Sequence, residues 1–291
     1  MKKRKKSNYS YAMAMPALIV YSIMFIIPMI LCFVTAFTDW NVRNLTSFSF
    51  LGIDNFKKIF GDQYFLLAIK NTLIFAVVTT IFKVLFGLSL AMVLTKPLKS
   101  RNVLRSLFYM PAVLSTVVIG LVFTAFFEMG GMWDKFLGLF GYAGKLIWLG
   151  NEHTAIWCVI ATEIWQWSGF SMMLFIAGLQ GIPTDYYEAA QIDGASPIQR
   201  FWKITVPLLA PSFTITIITN LIGGLKVFDK VYVLTNGGPG YATQVLGTYV
   251  YKSFSAGFLG KSSAMSLVLT VIVCAITLLL NRQLKKREVE A

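Results

Sequence analysis

Glu163, Gln166, Trp167 and Phe170 fall at i, i+3, i+4 and i+7 in a long apolar stretch, so a helix there carries all four on one face. An acid, an amide and two aromatic rings suit a polyhydroxylated ligand. The polar groups exchange hydrogen bonds with its hydroxyls, and the rings stack on the apolar face of a pyranose. The same residues also suit packing, with Trp157, Trp165 and Trp167 as core or interface aromatics and Glu163 turned to a polar neighbour. Both readings are open on the residues alone. Lys83 is the other charge inside an apolar stretch; it can pair with Glu163, snorkel, or face a neighbouring subunit.

Other chemistry finds little support. The single histidine, His153, rules out a histidine-rich metal site. Cys32, Cys158 and Cys274 sit in apolar stretches without metal-like spacing and read as small buried hydrophobes. Gly260-Lys261-Ser262 matches the end of a phosphate-binding loop, but Ser255 occupies the position of its first glycine. No catalytic residue or metal ligand is expected, and any ATP-driven step must come from another chain.

The elements that would position Glu163 are membrane spans. Of 291 residues, 56% are hydrophobic and 13% charged, and the mean hydropathy is +0.67. Soluble proteins carry about twice that share of charge. Six stretches approach the ~20 apolar residues that a helix needs to cross a bilayer: about 14–37, 72–94, 106–127, 154–179, 204–225 and 262–281. The expected fold is therefore all-α, a single polytopic membrane domain over residues 1–291 with six transmembrane helices. The first stretch is too long for a signal peptide's apolar region and reads as a retained helix.

Charge sets the orientation. With the Lys2–Lys6 cluster in the cytoplasm, six spans leave both termini inside. The inside segments then carry a net +10 and the outside segments +3, as the positive-inside rule requires. The formal net charge of +13 is thus explained by topology and anionic lipid, not nucleic acid.

The segment 181–211 has the strongest local pattern. It predicts two short helices joined by a turn. Thr184 caps the first, which runs through Glu188, Ala189 and Ala190 and stops at Gly194. Ser196 caps the second, with Pro197 at its first position and Gln199 completing a capping box. A short helix of this kind suits docking into a groove on another protein; an ordinary interhelical loop is the plainer reading. Its charge is −1, against the basic trend of the other inside segments.

Glu188-Ala189-Ala190, Asp193-Gly194-Ala195, Phe201, Ile204, Pro207 and Pro211 resemble the EAA loop of binding-protein-dependent ABC transporter permeases. Ala177-Gly178-Leu179-Gln180-Gly181-Ile182-Pro183 resembles the carbohydrate branch, in its larger-subunit maltose-transporter type. So does Phe228 through Pro239. The resemblance implies a type I ABC importer permease fold in a bacterial or archaeal cell membrane. It implies import of a sugar or oligosaccharide by alternating access. The implied partners are a related second permease subunit in a heterodimer, two ATP-binding subunits that hold ATP and Mg, and an extracytoplasmic sugar-binding protein.

By the same resemblance, Glu188, Ala189, Ala190, Asp193 and Gly194 couple to the ATPase, and Glu163, Gln166, Trp167 and Phe170 line the sugar pocket with Gly223, Gly224 and Val227. The glycines depart from the maltose type, which carries larger polar and aromatic groups there. That points to a bulkier or differently shaped saccharide. An autonomous secondary transporter or channel for a small polar solute is the alternative; it would need coupling-ion sites or internal repeats, and the sequence offers neither.

Overall fold

The structure is a computed structural model that describes residues 11–141 and 146–286. The Lys2–Lys6 cluster lies outside the described residues. Apart from one isolated antiparallel bridge between Thr38 and Phe50, the regular structure described is helical. The helices are α1 (Met15–Thr35), α2 (Asp54–Phe60), α3 (Gln63–Leu94), α4 (Arg101–Val113), α5 (Thr116–Phe126), α6 (Met132–Gly138), α7 (Ala155–Gln180), α8 (Asp185–Ile192), α9 (Pro197–Leu208), α10 (Ala210–Leu225), α11 (Asp229–Thr235), α12 (Leu246–Ser255) and α13 (Leu259–Lys285).

Three of these, α1, α3 and α13, are long and apolar enough to cross a membrane unbroken. The expected third span is instead two helices, α4 and α5, which meet at 95°, and the fifth is α9 and α10, which meet at 66°. If each bent pair is one span, the count by length and composition reaches five among the described residues, not six. The remaining stretch, α7, has 26 residues, enough for a crossing. It fails on hydropathy because Thr162, Glu163, Gln166, Ser168 and Ser171 lie along it, and all five are buried. Its polar residues face protein rather than lipid.

Prolines account for the local irregularities. A π-helical turn at Ser22–Ile26 precedes Pro28, and another at Phe201–Thr205 precedes Pro207. A proline cannot donate to the carbonyl four residues back, and a widened turn re-spaces the bonding around it.

The chain forms two compact units. One comprises the described residues up to Gly61 with Val250–Val268. In it, the buried Asn55 donates through Nδ2 to the Ala36 and Thr38 carbonyls, 2.9 and 2.7 Å away. These bonds satisfy acceptors left at the end of α1. Gly260 N–H donates to the Trp40 carbonyl at 2.7 Å, tying the start of α13 to the loop after α1.

The other unit, Asp62–Tyr249 with the described residues from Leu269, holds α7 at its centre. Helix α7 packs on α3, α4 and α10, and α11 packs on α5. Small residues make these crossings close, as they do where lipid offers no hydrophobic drive between helices. A Cβ on Gly169 would lie 1.9 Å from the Phe108 carbonyl oxygen, and one on Gly87 would lie 2.6 Å from Ser171 Cβ. One apolar core joins Phe75, Val159, Ile160, Val227 and Val231.

Candidate functional site

Glu163 is buried in α7, and its Oε1 accepts from Lys83 Nζ of α3 at 3.2 Å. This settles the role of Lys83 among the three open to it. One turn along α7, the buried Gln166 uses both ends of its amide. Its Oε1 accepts from Lys230 Nζ of α11, and its Nε2 donates to the Leu114 carbonyl at 3.2 Å. Leu114 lies at the break between α4 and α5, where the carbonyl has lost its helical donor. One amide therefore serves both a buried cation and a broken backbone.

The resulting cluster carries two lysines against one glutamate, drawn from α3, α7 and α11. Buried charges of this kind are held only with partners supplied. A turn further along α7, Ser171 Oγ accepts from Asn220 Nδ2 of α10 at 2.9 Å.

The expected pocket residues divide into three groups. Glu163 and Gln166 join the polar cluster. Trp167 and Phe170 are half-buried and meet edge to face, with centroids 6.0 Å apart. On α10, a Cβ at Gly223 would meet nothing within 4 Å, whereas one at Gly224 would lie 2.7 Å from Ala76 Cα. Val227 is buried in the core around Phe75. On α7 the polar pair is thus tied to lysines and the two rings stay half-buried, while Gly223 opens onto space and Gly224 and Val227 serve packing.

Lys230 and the Leu114 carbonyl were not among the expected site residues. Hydropathy put Lys230 beyond the fifth span, and a helix break is not written in residue types, although Pro111 three residues earlier hints at one.

The second cluster is the loop 181–211. Helix α8 starts after Thr184, whose side chain makes no capping bond, so the predicted cap is corrected: Thr184 has helical dihedrals and cannot turn its hydroxyl to the first turn. Helix α9 begins with the full capping box of Ser196 and Gln199. Gly194 sits at φ +76°, the left-handed turn between the two helices, and Tyr187 Oη and Thr205 Oγ1 lie 3.0 Å apart, pinning α8 to α9. Glu188 and Ala189 are exposed, as are Asp193 and Gly194, while Ala190 is half-buried. Four large apolar side chains also project: Tyr186, Ile192, Ile198 and Trp202, from 49% to 87% exposed.

Residues 83–287 match the family described as the binding-protein-dependent transport system inner membrane component. The chain belongs to that family. The permease is 32% identical over 282 residues to the probable ABC transporter permease protein YesP of Bacillus subtilis, covering 95% of this chain and 90% of that one. It is 32% identical over 278 residues to the trehalose/maltose transport system permease protein MalF of Thermococcus litoralis, covering 95% and 93%. Among solved structures it superimposes with a TM-score of 0.82 on a bacterial ABC transporter involved in the import of the acidic polysaccharide alginate, at 24% identity over 95% of this chain and 94% of that one. The all-α architecture is accordingly that of a polytopic ABC importer permease. Among the described residues, no group of three or more His, Cys, Asp or Glu is arranged to hold a metal.

Proposed function

We propose that this permease is one of two related subunits, the larger maltose-transporter type of the pair, which together form the path of an ABC importer for a sugar or oligosaccharide. It takes the sugar from an extracytoplasmic binding protein by alternating access. The observation that carries the assembly is the loop 181–211. A helix pair set by a capping box and a left-handed glycine presents four large exposed apolar side chains, Tyr186, Ile192, Ile198 and Trp202. Large apolar side chains left exposed on one short polar loop suit a protein partner. The ATPase subunits, which bind ATP and Mg, supply it, and Glu188, Ala189, Ala190, Asp193 and Gly194 transmit their closure.

On this reading α7 is the sixth span, and both termini are cytoplasmic in a bacterial or archaeal cell membrane. The sugar runs along the α7 face. Trp167 and Phe170 stack on it, Gly223 makes room for it, and Glu163 and Gln166 hold the polar floor. Gly224 and Val227 fix the position of α10 behind it. The carbohydrate transport named for the Thermococcus relative supports the substrate class.

The test is reconstitution of the whole transporter in proteoliposomes with ATP inside and a panel of labelled saccharides outside. The reading expects uptake that needs both ATP and the binding protein. Uptake by this chain alone, or ATP hydrolysis by it, overturns the assignment.

A further inference from the structure

A cavity of about 820 Å³ lies between α5 and α11, apart from the α7 face. Its size is within the ordinary range of ligand sites, roughly 300–1,000 Å³. At one end the two helices touch: a Cβ on Gly120 would lie 2.6 Å from Val233 Cγ1. The cleft is lined by Thr124, Glu128, Trp148, Thr235, Asn236 and Pro239 among others.

Two parts of its lining, the Trp148 ring and the turn at 235–238, are fixed by hydrogen bonds. Trp148 donates its indole N–H to Asp134 Oδ1 at 2.7 Å, and Asp134 Oδ2 accepts from Gly130 N–H at 2.7 Å. The Trp148 carbonyl accepts from Thr154 Oγ1 at 2.6 Å. The ring is thus anchored by its edge and its backbone, with Trp133 packed against it edge to face at 6.5 Å. Asn236 sits in the left-handed region at φ 48°, on a turn fastened by Gly238 N–H to the Thr235 carbonyl at 2.8 Å and by Thr243 Oγ1 to the Gly238 carbonyl at 2.7 Å.

Two polar groups in this cleft are uncommitted among the described residues: the Glu128 carboxylate and the Asn236 side-chain amide, both exposed. The Thr124 hydroxyl donates to the Gly120 carbonyl at 2.9 Å and keeps its lone pairs for a further donor. A fixed indole, a carboxylate acceptor, an amide and a hydroxyl match a pyranose, with its apolar face and its ring of hydroxyls. Among the described residues Glu128 is the one charged side chain that lines the cleft, so a carboxylated sugar would meet a like charge there.

We propose that this cleft is a second saccharide subsite, separate from the α7 face, that accepts neutral pyranose units and rejects anionic ones. It rests on the sugar-import reading. With the orientation of that reading, residues 128–153 and 236–239 lie outside, and the subsite stands at the external mouth of the path.

The test uses the assembled transporter in proteoliposomes with its binding protein. The probes are labelled maltose, maltohexaose, cellohexaose and a hexamer of galacturonate, with Glu128→Ala, Asn236→Gly and Glu128→Lys as variants. Both positions are exposed and glycine keeps the left-handed backbone at 236, so folding should survive; gel filtration of the purified complex checks it. The proposal expects Glu128→Ala and Asn236→Gly each to raise the half-saturating concentration of the neutral sugar about tenfold, and Glu128→Lys to narrow the preference for neutral over uronate hexamer. Wild-type uptake with unchanged half-saturation in all three variants overturns the subsite and leaves the importer reading standing. No uptake of any probe by the wild type overturns the sugar reading and the subsite with it. A shift accompanied by weaker capture of the binding protein assigns the cleft to that protein and overturns the subsite.

Discussion

Lys83 and Glu163 stand 80 residues apart in sequence and 3.2 Å apart in the fold, each buried, one on α3 and the other on α7. Removing one partner of a buried pair strands the other charge, at a cost of about 3–5 kcal/mol. Lys83→Met and Glu163→Leu should each therefore lower the thermal unfolding midpoint of the purified permease sharply, while the double variant recovers most of the loss. A double variant as unstable as the singles would mean that the two side chains are not energetically coupled.

Gln166 tests the joint between α7, α11 and the break in the third span. Gln166→Glu keeps an acceptor for Lys230 but has no donor for the Leu114 carbonyl. An orphaned buried carbonyl costs about 1–3 kcal/mol, concentrated at the break. Hydrogen exchange of the reconstituted permease should quicken across residues 113–118 and stay unchanged in the rest of α7. Gln166→Leu should strand Lys230 as well and reduce accumulation of the protein in the membrane.

The sequence was most legible where side chains act locally. The Ser196–Gln199 capping box and the Gly194 turn were both written in residue types at fixed offsets, and both are present. Helix existence was legible as apolar length. Helix straightness was not: at the 95° bend the freed Leu114 carbonyl finds its donor in Gln166, 52 residues away. Lys230 escaped for the same reason. Its neighbours in sequence look like a loop, and only the tertiary fold puts it against Gln166. The i, i+3, i+4, i+7 spacing gathered Glu163, Gln166, Trp167 and Phe170 on one helix without saying which of them meet protein. The structure commits the first two to lysines and leaves the rings half-buried.

The glycines of α7 and α10 should separate packing from substrate contact. Gly169→Ala drives a Cβ onto the Phe108 backbone oxygen, which has no rotamer to retreat into, so the variant should fail to accumulate. Gly223→Ala meets open space and removes a helix-interior glycine, worth about 1 kcal/mol in helix propensity. It should accumulate normally and still change uptake, with larger saccharides losing more than smaller ones. Normal uptake of every saccharide by the Gly223→Ala variant would remove α10 from the sugar path.

The coupling loop should fail in two distinguishable ways. Ile192→Asp and Trp202→Asp alter exposed side chains, so the permease should fold as before but lose its ATPase subunits on co-purification. Gly194→Val acts on the backbone instead. At φ +76° a β-branched residue is strained, and the turn between α8 and α9 must distort. That variant should retain a weakened ATPase complex that hydrolyses ATP without moving sugar, because α8 no longer passes its displacement through the Tyr187–Thr205 contact into α9. The ratio of sugar taken up to ATP hydrolysed in proteoliposomes measures the effect. An unchanged ratio in Gly194→Val would show that the turn geometry plays no part in coupling.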